Sequence, residues 1–418
     1  MRIKGLQVAV PVVAMVLTGF AAPQAKADAD FGMEVKLGLK GLIVTPGSRH
    51  HRTDGGGHTN LRGIVALGQP MGSATPAGTG ETPASLACIY GLTTLANGCN
   101  PASVTAVAKG GSKAIAIVDA YDYPTAAADL AVFSQQYGLP AANFQVIYAS
   151  GKKPAVESTG GWAVEAALDI QAAHALAPNA KIILVEAASS SIADLMVAEA
   201  AAVKAVAAAG GGQVSNSWAA GEFRSENNNQ SNFTGTKVVA FASSGDVAGT
   251  EFPAVLANVI AVGGTTINRD ASGNYTSQTS WGSSGGGRSA YIARPSFQSA
   301  VSSVAGTQRA TPDMALAADP ASGMWVYNTT PYNGAVLNWS VWGGTSLASP
   351  LAAALVNAAG GFASSASTEL TKIYGNLGKA AAFTDIAGGA CGNLQAGQSL
   401  TGFDLCTGVG APTGTSGL

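Results

Sequence analysis

The chain is poor in ionic groups: 11% of its 418 residues are charged, against about 25% in an ordinary soluble domain. Its 22 Lys+Arg nearly balance 24 Asp+Glu for a formal charge of −2. With no basic stripe to follow a phosphate backbone, nucleic acid is not an expected partner. Histidine is scarce, with four residues in all; His50, His51 and His58 lie early, leaving His174 as the one candidate for histidine-based catalysis beyond residue 110. No apolar run after residue 22 is long enough to span a bilayer. The four cysteines form neither a Cys-x-x-Cys pair nor a Cys/His cluster, which argues against structural zinc. What is plentiful is glycine, 54 residues, and apolar side chains, 47%, a composition unlike that of a disordered chain. A surface of Ser, Thr, Asn, Gln and Gly changes its charge little on acidification, which is compatible with tolerance of acid.

The first residues run charged (MRIKG), then apolar (6–22), then small at Ala25-Lys26-Ala27, the order of a secretory signal with cleavage expected after Ala27. Pro11 and the cleavage-like flank count against an uncleaved anchor. Export implies an oxidising compartment, secreted or periplasmic, and paired cysteines. Of three possible connectivities the sequence-local pairs Cys88 with Cys99 and Cys391 with Cys406 are preferred. Residues 28–110 are rich in Gly, Thr and Pro and show little period; they read as a short, poorly packed leader or pro-segment. From 111 to 418 the pattern is that of a single domain. Apolar strand runs at 114–118, 145–148, 181–185, 214–218, 237–243 and 259–262 alternate with helical stretches at 125–137, 162–176 and 192–208, and a last helix follows at 346–359 despite Pro350. Such alternation predicts an α/β fold with a mainly parallel sheet covered on both faces.

Open sheets of this kind bind ligands beyond the carboxyl ends of their strands. Three places there carry possible chemistry. In Gly343-Gly-Thr-Ser346-Leu-Ala-Ser-Pro350 a serine on the first turn of a helix has its own N–H and the helix dipole aimed at a developing oxyanion; an N-cap serine is the plain alternative. Glu165 and Asp169, four residues apart on a helix, lie about 40° apart on one face. They are either a solvated pair or, if buried, two carboxyls of which one holds a proton. Asp246 ends the run Val238-Val-Ala-Phe-Ala-Ser-Ser-Gly-Asp246; it is an Asx turn or, kept protonated, a donor to an oxyanion. His174 points about 140° and 180° away from Asp169 and Glu165, so it reads as structural and a base would have to be a carboxylate.

Together, Gly344-Thr-Ser346 with Pro350, Glu165-x-x-x-Asp169, Ser215-Asn-Ser217-Trp218, Ser243-Ser-Gly-Asp246 and Asn258-Val-Ile-Ala-Val-Gly-Gly-Thr-Thr266 resemble the sedolisins, the serine-carboxyl peptidases of subtilisin-like, three-layer fold. The resemblance runs from about residue 112 to 414. It implies an endopeptidase acting on polypeptides in acid, with Ser346 as nucleophile, Glu165 as base, Asp169 orienting Glu165, and Asp246 stabilising the oxyanion. Ser217 and Trp218 would form the substrate-binding wall, where Ala219 stands in place of a frequent glycine. Phe383-Thr-Asp385-Ile386 and Gly402-Phe-Asp404-Leu-Cys406 resemble the family's calcium site, implying one ion held by the carboxylates of Asp385 and Asp404 and the carbonyls of Ile386 and Gly402; Leu400 replaces a frequent glycine. The family's long folded pro-segment has no counterpart of similar length in 28–110. The expectation is an exported monomer with no membrane association once the signal is removed. The alternatives are a subtilisin-like peptidase using Asp119 and His174, and a non-catalytic secreted binding protein on the same fold.

Overall fold

A computed structural model describes residues 33–37, 41–49, 55–65, 71–76, 78, 80–392 and 398–418. The expected signal segment, His50 and His51 lie outside the described residues.

The apolar run Ala114–Ala120 is buried along its whole length. Side chains of a strand alternate between faces, and here Ile115 and Ile117 enter one apolar cluster while Ala114, Ala116 and Val118 enter another. A strand apolar on both sides requires cover on both sides. The first cluster holds Gly161–Leu176 and Thr345–Ala359, the second Ile192–Ala208, so the molecule is three-layered. Among the described residues the sheet has eight strands, ordered Tyr275–Ser280, Val259–Arg269, Val238–Ser243, Gly212–Asn216, Ala114–Ala120, Lys181–Ala187, Asn143–Tyr148, with Met314–Ala317 also pairing Val259–Arg269. Every pairing in it is parallel except that of the edge strand Tyr275–Ser280.

Gly161–Leu176 is buried on every side. Alanines at 163, 166, 167, 172, 173 and 175 favour the helix and let it lie close to Ala348 and residues 352–354 of its neighbour, all fully buried. The expected strand at 214–218 divides: Gly212–Asn216 belongs to the main sheet, and Trp218–Gly221 turns away to pair with other partners.

The early segment differs from its expected poor packing. Leu42–Thr45 and Arg62–Val65 pair with each other, and the latter with Asn338–Gly343, the strand that leads into Ser346. Pro83–Ile89 forms a helix, and Leu61, Leu86, Ala87 and Tyr90 are buried in the main core; the Tyr90 hydroxyl donates to Gln278 Oε1 and accepts from Ala317 N. A segment that draws its order from strands and helices far along the chain carries no periodic signature of its own. The two disulfides are Cys88–Cys99 and Cys391–Cys406, as preferred from the sequence.

Candidate active site

The helix Thr345–Ala359 opens at Gly344, whose φ of 97° and ψ of 166° lie where only glycine is comfortable. Ser346, on the first turn, is wholly buried; its hydroxyl donates to Ser217 O at 3.2 Å, and its main-chain N–H donates to Asn60 O at 3.1 Å. Pro350 has a local purpose. Residue 350 would ordinarily donate its N–H to the carbonyl of Ser346, and proline has none to give. That carbonyl instead accepts from Ser217 Oγ at 3.1 Å, tying the helix start to the segment that leads into Trp218–Gly221.

Glu165 and Asp169 share one face of the buried helix, as their spacing predicts, and both are wholly buried. Asp119, from the carboxyl end of the central strand, joins them. Burial pushes all three carboxyls well above the usual carboxylate range; Asp169 and Asp119 push Glu165 further, Asp119 pushes Asp169, and Glu186 pushes Asp119. The Ser346 hydroxyl beside Glu165 and the Ser217 hydroxyl beside Asp169 work weakly in the opposite sense. Among the described residues no amide donates to any of the six carboxyl oxygens, and no lysine or arginine is among the charges that shift them. A buried acid cluster of this kind is satisfied by keeping protons and sharing them between carboxyls.

Asp246 is buried beyond the end of Val238–Ser243. Its Oδ1 accepts from Thr345 N and Thr345 Oγ1, both at 2.8 Å, while Thr345 Oγ1 accepts from Gly245 N at 3.2 Å. Its Oδ2 lies 3.5 Å from Arg62 Nε, and Arg62 Nη2 donates to its carbonyl at 2.7 Å. Ser346, Glu165, Asp169 and Asp246 are thus brought to one place with Ser217. Ala219 pairs with His58 in an ordinary antiparallel register. His174 is elsewhere: its Nε2 lies 3.0 Å from Pro140 O, and burial lowers its affinity for a proton.

Asn60 and Arg62 were not singled out from the sequence. Neither belongs to a local motif, and only the pairing of distant strands carries them here. Asp119 was legible as an acid at a strand end; its joining the Glu165–Asp169 pair was not.

Near the C-terminus, Asp385, Ile386, Gly402 and Asp404 also converge. The Ser399 hydroxyl meets both Ile386 O and Asp404 Oδ2, and Gly402 N donates to Asp385 Oδ2 at 2.8 Å. Asp404 further accepts from the N–H groups of Leu400, Cys406 and Thr407, each at 2.8 Å; Leu400 contributes through its main chain, so its side chain does not break the loop. The Asp385 and Asp404 carboxylates and the Ile386 carbonyl, all tied to this loop, are hard oxygens of the type calcium takes.

No family model matches the chain. It is 31% identical over 290 residues to kumamolisin of Bacillus sp. (strain MN-32), covering 60% of this chain and 49% of that protein. It is 37% identical over 117 residues to sedolisin of Pseudomonas sp. (strain 101), covering 26% of this chain and 19% of that protein. The chain therefore aligns with about half or less of the length of these relatives. Among solved structures it is similar to Pseudomonas sedolisin, a serine-carboxyl proteinase crystallised with two molecules of pseudo-iodotyrostatin, with a TM-score of 0.62 and 24% identity over 81% of this chain and 96% of that one. That likeness establishes the fold as subtilisin-like α/β. In sequence over part of its length, in fold, and in the ordered motifs that now meet in one site, the chain is similar to the sedolisins.

Proposed function

We propose that this chain is an exported serine-carboxyl endopeptidase that hydrolyses peptide bonds of polypeptides in acid. The observation that carries the reading is the buried, cation-free carboxyl pair of Glu165 and Asp169 beside Ser346, with His174 bonded to Pro140 on another side of its helix. Ser346 Oγ attacks the scissile carbonyl, and Glu165, ionised while the protons shared in the cluster rest on Asp169 and Asp119, takes the hydroxyl proton and later gives it to the leaving amine. Asp169 orients Glu165. The Ser346 N–H and a protonated Asp246 face the developing oxyanion. Acid keeps the shared proton on the Glu165–Asp169 pair, which loses its donor role once both carboxyls ionise. Ser217 and Trp218 form the wall on which an extended substrate adds as a strand.

The two disulfides support an oxidising destination, and among the described residues no helix is long and apolar enough to cross a membrane. Asp385 and Asp404, with the carbonyls of Ile386 and Gly402, would hold one calcium ion; the ion would brace the C-terminal loop and takes no part in the chemistry.

The test is the pH profile of cleavage of a denatured protein by the wild-type chain beside Ser346→Ala, Glu165→Ala and His174→Ala. Activity greatest below about pH 5, lost in the first two variants and kept in the third, is the expected result. A neutral optimum that survives Glu165→Ala and not His174→Ala would establish a histidine mechanism, and absence of cleavage at every pH would favour a binding protein.

A further inference from the structure

The buried acids do not end at Asp119. Asp119 and Glu186 are register neighbours on the adjacent parallel strands Ala114–Ala120 and Lys181–Ala187, and such neighbours stand about 4.8 Å apart with their side chains on one face. That face is the one covered by the helix of Glu165 and Asp169: Ile115 and Ile117 before Asp119, and Ile182 and Leu184 before Glu186, enter the same apolar cluster as the side chains of Gly161–Leu176. Glu186 is almost wholly buried. Among the described residues no amide donates to either carboxyl oxygen of Asp119 or to Glu186 Oε2.

Outward of Glu186 the acids continue. Just past the central strand Tyr121 has a φ of 67°, a left-handed conformation uncommon for a tyrosine, and the residues after it fold back over the strand ends. Tyr123 N donates to Glu186 Oε1 at 3.0 Å, and the buried Asp122 shares a hydrogen bond with the Glu186 carboxyl. Lys153 Nζ lies 3.2 Å from Asp122 Oδ2, and its side chain is 55% exposed. The carboxyls of Glu165, Asp169, Asp119, Glu186 and Asp122 thus run from the nucleophile to solvent, with a lysine at the outer end. Tyr148 is the register neighbour of Glu186 on its other side, and at the inner end Asp246 bears on Glu165.

We propose that Glu186 is a positioning residue for the catalytic pair: at the end of the chain of acids nearest Lys153 it takes the first negative charge beyond the one on Glu165, so that the proton shared by Glu165 and Asp169 stays in place. The inference rests on the peptidase reading above. Burial pushes Glu186 up to about 7; the Tyr123 N–H opposes this, Asp122 adds to it and Lys153 opposes it. A carboxylate at Glu186 is therefore met by an N–H and a nearby ammonium, whereas one at Asp119 or Asp169 is met by no amide and no ammonium. As pH rises the first proton to leave is that of Glu186, and it passes to solvent at the Asp122–Lys153 end. The charge left behind repels a second negative charge among the inner acids: it pushes Asp119 to hold its proton, and the remaining protons stay shared among Asp119, Asp169 and Glu165. The consequence is an alkaline limb of the activity profile that lies higher than the pair alone would set it.

The test is the pH profile of kcat/KM on a denatured, dye-labelled protein, measured with the full chain as wild type, Glu186→Gln, Lys153→Met and the double variant. Gln keeps the hydrogen bonds of a protonated Glu186 and cannot take the charge, so a merely structural role would leave the midpoint of the alkaline limb where it is. The expected result in Glu186→Gln is a midpoint lower by about one pH unit, the size of one neighbouring like charge, read as about tenfold less activity at a fixed pH on that limb. Lys153→Met is expected to lower the midpoint as well, because without the ammonium Glu186 keeps its proton longer, and to add nothing in the Glu186→Gln background, because its effect passes through Glu186. Lys153 is exposed, so its variant carries the test even if Glu186→Gln does not fold. A midpoint left in place or raised by either single variant, or lowered by Lys153→Met equally in both backgrounds, overturns this inference; a wild type that digests protein in acid and is silenced by Glu165→Ala would leave the peptidase reading standing. A wild type that cleaves nothing at any pH overturns both.

Discussion

The main-chain N–H of Ser346 donates to the carbonyl oxygen of Asn60 at 3.1 Å. These residues are far apart in sequence, and the contact joins the start of the serine helix to a strand from the early segment. It requires close approach of two backbones at Gly344, where a Cβ would come within 1.9 Å of Asn60 O and 2.9 Å of Asp246 Oδ2. Gly344→Ala is therefore expected to lower kcat/KM by about a hundredfold or more, the scale of losing one oxyanion contact, and to lower the melting temperature through strained backbone. Steady-state kinetics and a thermal melt check it; an alanine variant of full activity would remove the argument for close approach.

The buried acids set the direction of pH dependence. Glu165, Asp169 and Asp119 hold their protons well above the usual range, and Glu186 and Glu199 are pushed up to about 7 and about 8. Above the unfolded value near about 4 the native state binds more protons than the unfolded chain, so stability falls as pH rises. The contribution is complete below the unfolded value and is lost through the native values, for Glu186 and Glu199 by about 7 and about 8. Melting temperature is expected to decline from acid to neutral pH, with a shallower decline in Glu199→Gln. Calorimetry across pH measures both, and a melting temperature that rises toward neutrality would contradict the protonated cluster.

Pro350 leaves the Ser346 carbonyl to Ser217 Oγ. Pro350→Ala restores an N–H that competes for that carbonyl, so kcat is expected to fall about fivefold, the worth of roughly 1 kcal/mol, while helix propensity improves and the fold is kept. Kinetics beside circular dichroism separate the effects. An unchanged kcat would mean that the link from Ser217 to Ser346 does not position the serine.

Calcium is expected to stabilise through Asp385 and Asp404. Chelation should lower the melting temperature, by the equivalent of about 3 kcal/mol if the ion was present at a hundred times its Kd, and Asp404→Asn should remove the response. A melting curve indifferent to chelator and added calcium would leave the loop held by Ser399 and the Asp404 hydrogen bonds.

What the chain order alone determined was whatever depends on neighbours in sequence. The alternation of buried strands and helices, the shared face of Glu165 and Asp169, the turning away of His174 and the serine on a helix's first turn all follow from periodicity and local stereochemistry. Only the tertiary structure decided the rest. Asp119 becomes part of the acid cluster because the central strand ends beside a helix that begins some forty residues later. Residues 57–62 enter the site because Trp218–Gly221 and Asn338–Gly343 offer them edges to pair with. The six residues Gly-His-Thr-Asn-Leu-Arg carry little pattern of their own; their conformation comes from hydrogen bonds supplied by residues more than a hundred positions away, and such information is not written in a local window.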